Sequence, residues 1–192
     1  MDGRSLLDAA RGEFERRIPA TRTGLTRATP CAGWTVRDLL QHVVVGNCMA
    51  VLMLAGRSRA DVDEARVRMT AADQLGDGAR EVFGESADAQ AAAFSRPGAL
   101  DVICHNRVGD IPGSELLVFR ICDLTLHAWD LGRALDLDEQ LDDRHVAWVF
   151  AAMAPQAPTL GRSGQFGDGP STSLPSDASL QERLLDLSGR RP

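Results

Sequence analysis

Several features that mark common protein classes are missing from this sequence of 192 residues. It has no tyrosine and no basic stripe, and its formal net charge is −6, so nucleic acid is not an expected partner. The N-terminus lacks the apolar core of a signal peptide, and no apolar run approaches the roughly 20 residues of a membrane-spanning helix. These absences predict a cytoplasmic protein without a membrane partner.

Cysteine pairs are also missing. The four cysteines, Cys31, Cys48, Cys104 and Cys122, are widely spaced and form no CxxC motif, so we expect reduced thiols and not a disulfide framework. No internal repeat and no linker is visible, and 44% of the residues are hydrophobic. A chain of this length and composition is expected to form one domain over residues 1–192.

The hydrophobic periodicity predicts an all-α fold. Helices are expected over Ser5–Ile18, from the Thr35 cap to Gly56, over Ala60–Phe94 with a break near Gly76–Gly78, over Gly113–Leu135, over Asp138–Ala154, and after a cap at Ser179 or Asp177. Leu100–Cys104 is expected to be a short extended stretch. Residues 155–192 are expected to form a long Pro/Gly-rich wrapping tail that ends in the short terminal helix.

The helix Gly113–Leu135 carries a polar stripe where an apolar face is expected. Arg120, Asp123, His127 and Asp130 follow one another at steps of three, four and three residues. At 100° per residue they fall in the middle of the apolar arc, so the stripe points into the protein. An unpartnered buried carboxylate or imidazole costs several kcal/mol, so these groups must pair, bind an ion or line a wet site.

The second helix repeats this anomaly once, because His42 also lies on its apolar face and is expected to be buried. Asp38 follows Thr35 at the spacing of a capping box and can serve either as a cap or as a support for the site, with the cap favoured. His105, in a predicted loop, and His145, early in a helix, are expected to face solvent.

Two interpretations of the stripe stay open at this point. In the first, His42, Asp123 and His127 bind zinc or another divalent metal and leave coordination positions open, as catalytic sites do. Asp130 would then orient an imidazole, and Arg120 would hold an anionic group of the substrate. In the second, the histidines are ordinary core residues and the charged groups form a buried salt-bridge network that fixes the helix register.

Three segments resemble a known family. They are TPCAGWTVRDLLQHVVVGN (Thr29–Asn47), IPGSELLVFRICDLTLHAWDLGRAL (Ile111–Leu135) and the C-terminal segment from Arg162. Together they resemble an actinobacterial family related to the metal-binding domain of mycothiol-dependent maleylpyruvate isomerase, within the DinB-like superfamily. The segments occur in order and span nearly the whole chain, although Ala60–Gly98 matches only as a helix.

The resemblance implies a DinB-like four-helix bundle that holds a divalent metal, zinc or nickel. The family's first ligand histidine falls on His42, and its acidic-x-x-x-His pair falls on Asp123 and His127, where the isomerase itself has Glu at the acidic position. The isomerase also has a C-terminal domain that helps to bind its substrate. That domain is expected to be absent here, and the segment Pro155–Ser176 is expected to close the site in its place.

The resemblance also implies a reaction. The metal would hold a low-molecular-weight thiol such as mycothiol as a thiolate, which attacks an electrophilic carbon of a small-molecule substrate in a transfer or isomerisation. Cys31 is a second candidate nucleophile, although packing beneath Trp34 is favoured for it. Two alternatives remain: a non-catalytic metal-binding or stress-related helical-bundle protein, and a structural protein that forms a homodimer.

Overall fold

The computed structural model describes residues 2–19, 22–76, 78–107, 109–157, 169–171 and 173–192, except for the side chain of residue 22. The protein is mostly helical, as predicted. The helices are α1 (Gly3–Glu15), α2 (Arg22–Leu25), α3 (Val36–Leu54), α4 (Arg59–Ala71), α5 (Ala79–Ser95), α6 (Gly113–Leu135), α7 (Asp143–Met153) and α8 (Leu180–Leu187), and the strands are β1 (Ile103–Asn106) and β2 (Gly109–Pro112).

The chain divides into two compact units, Met1–Asp138 and Glu139–Pro192. In the first unit, α6 packs against α1 and α3, and α5 packs against α3 and α1. The second unit contains α7 and α8, which pack against each other. The prediction of one domain over residues 1–192 stays a prediction.

Helix α1 begins two residues earlier than predicted because Asp2 caps it. The Asp2 carboxylate accepts from the backbone N–H of Arg4 at 2.9 Å and of Ser5 at 3.0 Å, which satisfies donors that an uncapped helix leaves open. Its buried face carries Leu6, Leu7, Ala10 and Phe14, and the Phe14 ring lies 4.9 Å from that of Phe83 on α5.

Helix α3 begins with the predicted capping box. Thr35 Oγ1 accepts from the Asp38 N–H, while the Asp38 carboxylate accepts from the Thr35 N–H at 2.8 Å, so the favoured capping role of Asp38 is confirmed. Among the described residues, α3 is the one helix long and apolar enough to cross a membrane. This is weak evidence for a span, because 56% of its apolar stretch is buried inside the protein, as in an ordinary core helix.

The segment between α3 and α6 confirms the predicted break and adds a hairpin. Two helices, α4 and α5, flank the expected break, and Ser58 with Asp61 forms a second capping box at the start of α4. The expected extended stretch is β1, which pairs with β2 in antiparallel register, Ile103 opposite Pro112. A side chain at Gly113 would collide with the Ala99 carbonyl oxygen, so glycine is required where the hairpin leads into α6.

Helix α6 spans Gly113–Leu135, as predicted from its periodicity. The helix stops after Leu135 because the next residue, Asp136, has a φ of +54°, in the left-handed region that terminates helices. Most of the helix is buried, including Trp129 at 1% exposure. The segment that carries the polar stripe is therefore a core helix of the first unit.

In the second unit, α7 begins five residues later than predicted because Asp142 caps it by accepting from the His145 N–H at 3.0 Å. The prediction that His145 faces solvent is wrong, since the residue is 2% exposed. Helix α8 begins after Ser179, one of the two predicted caps, with Glu182 completing a capping box. The predicted closing segment Pro155–Ser176 lies largely outside the described residues.

Candidate metal centre

The polar stripe of α6 lies inside the first unit, as its position in the apolar arc predicts. Arg120 is 7% exposed, His127 is 8% exposed and Asp130 is fully buried. Asp123 is partly open, with 24% of its side chain exposed. Both ends of the stripe, Arg120 and Asp130, are therefore buried, solvent reaches the stripe at Asp123, and each group along it needs a partner.

Asp123 is the hub of the stripe. Its Oδ2 atom accepts a hydrogen bond from Arg120 Nη1 at 2.9 Å. Its Oδ1 atom lies 3.2 Å from His42 Nε2 and 3.5 Å from His127 Nε2. One carboxylate oxygen is thus held by the arginine, and the other faces two imidazole nitrogens from two different helices.

His42 reaches this hub from α3, but the prediction that it is buried is wrong. Its side chain is 40% exposed, and the ring lies at Asp123, the one partly exposed member of the stripe. The ring centroid of Trp34 lies 4.9 Å from that of His42, and the His127 ring meets the His42 ring edge-on at 5.1 Å. These aromatic contacts restrict the His42 ring on one side and leave its other side to solvent.

His127 is fixed from its second ring nitrogen. The Asp130 carboxylate lies 2.7 Å from His127 Nδ1, which leaves Nε2 as the nitrogen that faces Asp123. This carboxylate–histidine contact is the arrangement that orients many metal-binding imidazoles. The same Asp130 oxygen accepts from the Cys31 Sγ–H at 3.4 Å, and the sulfur lies 4.0 Å from His127 Nδ1.

Cys31 therefore touches the site from behind His127, whereas the sequence favoured packing beneath Trp34. A turn places it there: the Trp34 N–H donates to the Cys31 carbonyl oxygen at 3.0 Å, and Thr29 Oγ1 accepts from the Cys31 N–H at 3.2 Å. Only the Pro-bounded loop before α3 signalled this turn, and loop residues give no periodicity from which direction can be read.

The charges of the site act strongly on one another. Burial alone would raise the pKa of Asp123, but the charges of Arg120, His42 and His127 outweigh it and hold that pKa well below its ordinary value. Burial would lower the pKa of His127, but Asp123 and the hydrogen bond with Asp130 hold that pKa well above its ordinary value. The metal-free site thus favours an ionised carboxylate beside a charged imidazole.

A buried polar network supports Arg120 from behind, and the sequence did not reveal it. Arg120 Nη2 donates to Asn47 Oδ1 at 2.9 Å, and Gln90 Nε2 on α5 donates to the same oxygen at 2.7 Å. Asn47 Nδ2 in turn donates to Ser86 Oγ at 3.0 Å. Asn47, Gln90 and Ser86 are all buried, so three helices fix the position of one guanidinium group.

Glycine at position 46 makes room for this guanidinium. A Cβ atom there would collide with Arg120 Nη1 and would lie 3.0 Å from its Cζ. The Gly46-Asn47 interruption of the apolar α3 segment is the signal that could have located the network, because neither residue suits a core helix without a specific contact.

The three predicted ligands are brought close enough to share an ion. His42, Asp123 and His127 each offer a donor atom, and these atoms all lie within 4.8 Å of one another. Donors placed tetrahedrally at about 2.1 Å from a zinc ion lie about 3.4 Å apart. The two contacts of Asp123 Oδ1, at 3.2 and 3.5 Å, match this spacing, so the residues fit a divalent metal.

A second set with close donor atoms lies behind the first. It consists of Cys31, His127 and Asp130, again within 4.8 Å among the residues that the structure describes. His127 belongs to both sets and uses different nitrogens in each. Because Asp130 is fully buried and already contacts Nδ1, this set acts as a support for His127.

The other arginine–histidine cluster lies elsewhere in the first unit. His105 Nδ1 lies 2.9 Å from Asp110 Oδ1, and Arg59 donates to the same oxygen at 2.7 Å. This cluster joins α4 to the hairpin, and His105 lies in strand β1 and not in a loop as predicted, with 34% of its side chain exposed. Among the described residues, His105 has no part in either candidate metal set.

Comparisons with known proteins identify the family of this chain. Residues 7–132 match the sequence profile of the mycothiol maleylpyruvate isomerase N-terminal domain, a region that includes every residue of the candidate site. Uncharacterized proteins from two strains of Mycobacterium tuberculosis are each 32% identical over 132 residues, which is 67% of this chain. The chain covers 66% of the length of these relatives.

Two solved structures share the fold. The crystal structure of the mycothiol-dependent maleylpyruvate isomerase aligns with a TM-score of 0.61 at 16% identity, over 81% of this chain and 71% of that one. A histidine-to-alanine mutant of that isomerase aligns with a TM-score of 0.63 at 20% identity, over 87% and 72%. At these identities the structural match shows the fold alone, while the profile match identifies the family. The chain belongs to the family of mycothiol maleylpyruvate isomerase N-terminal domains.

Proposed function

We propose that this protein binds a divalent metal, zinc in the first instance, through His42, Asp123 and His127, and uses a low-molecular-weight thiol in a transfer or isomerisation reaction. The observation that carries the proposal is the spacing of the donor atoms around Asp123 Oδ1, at 3.2 and 3.5 Å from two histidine nitrogens. Spacings of this size suit donors that share one zinc ion.

Three protein donors leave room for an external ligand, and the exposure of the site agrees with such a role. The side chains of His42 and Asp123 are 40% and 24% exposed, so a small molecule can approach these two residues. A metal held there would lower the pKa of a bound thiol and keep it as a nucleophilic thiolate. A structural site would instead be closed by a fourth protein donor.

The remaining residues hold the donors in place. Asp130 orients His127 through Nδ1, so that the lone pair of Nε2 points to the hub. Arg120 occupies one oxygen of Asp123 and leaves the other for the metal. In this proposal the capping residue Asp38 supports the site only indirectly, by fixing the start of the helix that carries His42.

Family membership supports the thiol part of the proposal. The solved relatives are named for a mycothiol-dependent isomerase, so we propose mycothiol or a related thiol as co-substrate. We further propose that α1, α3, α5 and α6 form the DinB-like four-helix bundle, which their pairwise packing supports. The electrophilic substrate can differ from that of the relatives, because this chain matches about 70% of their length.

Metal and thiol titrations test the proposal. The chain would be stripped with a chelator, dialysed and titrated with Zn²⁺ by calorimetry, and with Co²⁺ by absorption spectroscopy. We expect one ion per chain. Addition of N-acetylcysteine to the Co²⁺ protein should then produce a thiolate-to-cobalt charge-transfer band, because the open position accepts a sulfur ligand.

N-acetylserine, which replaces the sulfur by oxygen, is the matched control and should give no such band. A chain that binds one metal but gives no band with the thiol would be a metal-binding protein without the proposed chemistry. A chain that binds no stoichiometric metal would contradict the proposal altogether.

A further inference from the structure

The three side chains that support His127 from its Nδ1 side are themselves of metal-ligating types. Cys31 Sγ lies 3.4 Å from Asp130 Oδ2 and 4.0 Å from His127 Nδ1, and the same carboxylate oxygen lies 2.7 Å from Nδ1. A sulfur ligand beside an imidazole and a carboxylate suits a thiophilic divalent ion, whereas a hard ion such as Mg²⁺ prefers oxygen ligands alone. The chemistry of this group therefore differs from that of the His42 set, which has no sulfur.

The spacing of the three donor atoms is close to that around a shared ion. Bonds of about 2.0 to 2.3 Å in a tetrahedral arrangement place donors about 3.3 to 3.6 Å apart. The Sγ–Oδ2 distance of 3.4 Å lies in this range, and the Sγ–Nδ1 distance of 4.0 Å lies a little above it. The Nδ1–Oδ2 contact is that of a hydrogen bond and has to lengthen by about 0.6 Å when an ion takes the place of its proton.

A closed turn holds the sulfur at this place. The Thr29 N–H donates to the Trp34 carbonyl oxygen at 2.9 Å, and the Trp34 N–H donates to the Cys31 carbonyl oxygen at 3.0 Å. Gly33 supplies the left-handed backbone inside this turn, with a φ of +78°. Cys31 is the one partly exposed member of the group, so an ion that approaches from solvent meets it first.

His127 can serve only one of the two sets at a time. A neutral imidazole has a lone pair on one nitrogen and a proton on the other. When Nε2 binds an ion, the Nδ1–H donates to Asp130, whose carboxylate lies 2.7 Å away. When Nδ1 binds an ion, the proton is on Nε2, which lies 3.5 Å from Asp123 Oδ1. Each aspartate is thus a ligand in one state and orients the imidazole in the other.

We propose that Cys31, Asp130 and the Nδ1 atom of His127 form a second site, specific for a thiophilic divalent cation, and that this site and the His42 set are occupied alternately. On binding, the sulfur forms a bond to the ion and the thiol proton passes to solvent. The inference goes beyond the proposed function, because it requires neither a thiol co-substrate nor a reaction. Where the proposed function holds, a thiophilic cation would act as an inhibitor by taking His127 away from the His42 set.

Titration of the metal-free, reduced chain with Cd²⁺ tests this inference. A thiolate bound to cadmium gives an ultraviolet charge-transfer band, which nitrogen and oxygen donors do not give. We expect a band that saturates at one Cd²⁺ per chain and that Cys31→Ser abolishes. Cys48→Ser is the matched control and should keep the full band, because Cys48 is also partly exposed but belongs to no candidate metal set among the described residues.

His42→Ala separates the two sets, because it removes a donor from the first set alone. This variant should lose stoichiometric Zn²⁺ binding and keep the cadmium band. In the unaltered chain loaded with Zn²⁺, growth of the band should release one Zn²⁺ for each Cd²⁺ bound, which an indicator dye measures. Growth of the band without release of Zn²⁺ would contradict alternate occupancy.

The ring nitrogens of the unaltered chain give a readout that does not depend on how a variant folds. With isotope-labelled cadmium and nitrogen, NMR detects a coupling between the ion and the nitrogen that binds it. We expect this coupling at His127 Nδ1, with the proton on Nε2. A coupling at Nε2 would place cadmium in the first set and would overturn the inference.

The outcomes separate this inference from the proposed function. If Zn²⁺ does not bind to the His42 set but the cadmium band depends on Cys31, the proposed function fails and the second site stands. If Zn²⁺ and the thiol bind as proposed and Cys31→Ser keeps the cadmium band, the second site is wrong and the proposed function stands. Loss of the band in Cys48→Ser to the same extent as in Cys31→Ser would also overturn the inference.

Discussion

Two clusters in this protein contain the same residue types and differ in almost everything else. On the hairpin side, Arg59 and His105 both contact Asp110. On α6, Arg120 and His127 both contact Asp123. Asp110 has 53% of its side chain exposed, against 24% for Asp123. The comparison teaches that an arginine, an aspartate and a histidine in contact do not by themselves indicate a site.

What distinguishes the α6 cluster is how its members are held. On the hairpin, a single oxygen of Asp110 receives both partners. On α6, the two oxygens of Asp123 have different neighbours, and the partners themselves are fixed by Asn47 and Asp130. Positions fixed in this way cost little entropy when a ligand binds, which is the property that a metal site needs.

The largest expected effect is on Zn²⁺ binding, when His127 of the α6 cluster and His105 of the hairpin cluster are each replaced by alanine. His127→Ala should abolish stoichiometric Zn²⁺ binding, because it removes one of the three proposed metal donors. His105→Ala is the matched control and should bind one Zn²⁺ with unchanged affinity. Calorimetry and elemental analysis measure both, and equal behaviour of the two variants would remove the distinction between the clusters.

The next effect concerns the arginines. Arg120→Met should lower Zn²⁺ affinity about 10- to 100-fold, because Asp123 loses the partner that orients it. It should also lower the free energy of unfolding by about 2 to 3 kcal/mol, because the Asn47 network loses a buried donor. Denaturant titration and calorimetry measure these quantities. Arg59→Met, the exposed counterpart, should leave Zn²⁺ affinity unchanged, and a similar loss in both variants would contradict the supporting role of the network.

The pH dependence of metal binding is a third test. Because the pKa of His127 is held well above its ordinary value, the imidazole of the metal-free chain is protonated near neutral pH. A metal needs the unprotonated nitrogen, so binding must release this proton. The apparent Zn²⁺ affinity should therefore fall about tenfold for each unit by which the pH is lowered below neutrality. Calorimetry in buffers with different ionisation enthalpies measures the number of protons released per Zn²⁺ bound. A value of zero would contradict the assignment of His127 as a metal ligand.

The smallest effect is expected on the hairpin. Asp110→Asn removes an exposed negative charge that both Arg59 and His105 contact. Exposed ion pairs contribute little to stability, and salt screens them. The melting temperature of the variant should match that of the parent chain at high salt, and its Zn²⁺ affinity should be unchanged. A loss of metal binding would show that the two clusters are coupled.

The sequence predicted the parts of the protein that depend on local periodicity. The bounds of α6, the Thr35 capping box and the inward direction of the stripe all follow from spacing along one helix. The contact between His42 and Asp123 joins residues far apart in the chain, and the metal-binding interpretation of the two polar helix faces, together with the family resemblance, suggested that they meet.

The parts that failed depend on tertiary contacts or on loops. The buried contact of Gln90 with Asn47 joins α5 to α3, and no pattern within either helix points to the other. The sulfur of Cys31 is directed by a turn, which has no periodicity. His42 was expected to be buried because its helical face is apolar, but 40% of its side chain is exposed, and the sequence of one helix does not show how far neighbouring elements cover its face.

The absence of a side chain at Gly46 has a consequence for the side chain at position 123. The guanidinium of Arg120 already occupies the room that a methyl group on α3 would take, so it cannot retreat in that direction when its acidic neighbour grows longer. A side chain at residue 46 would displace the guanidinium that contacts Asp123, so the size of residue 46 affects where the carboxylate of residue 123 is held.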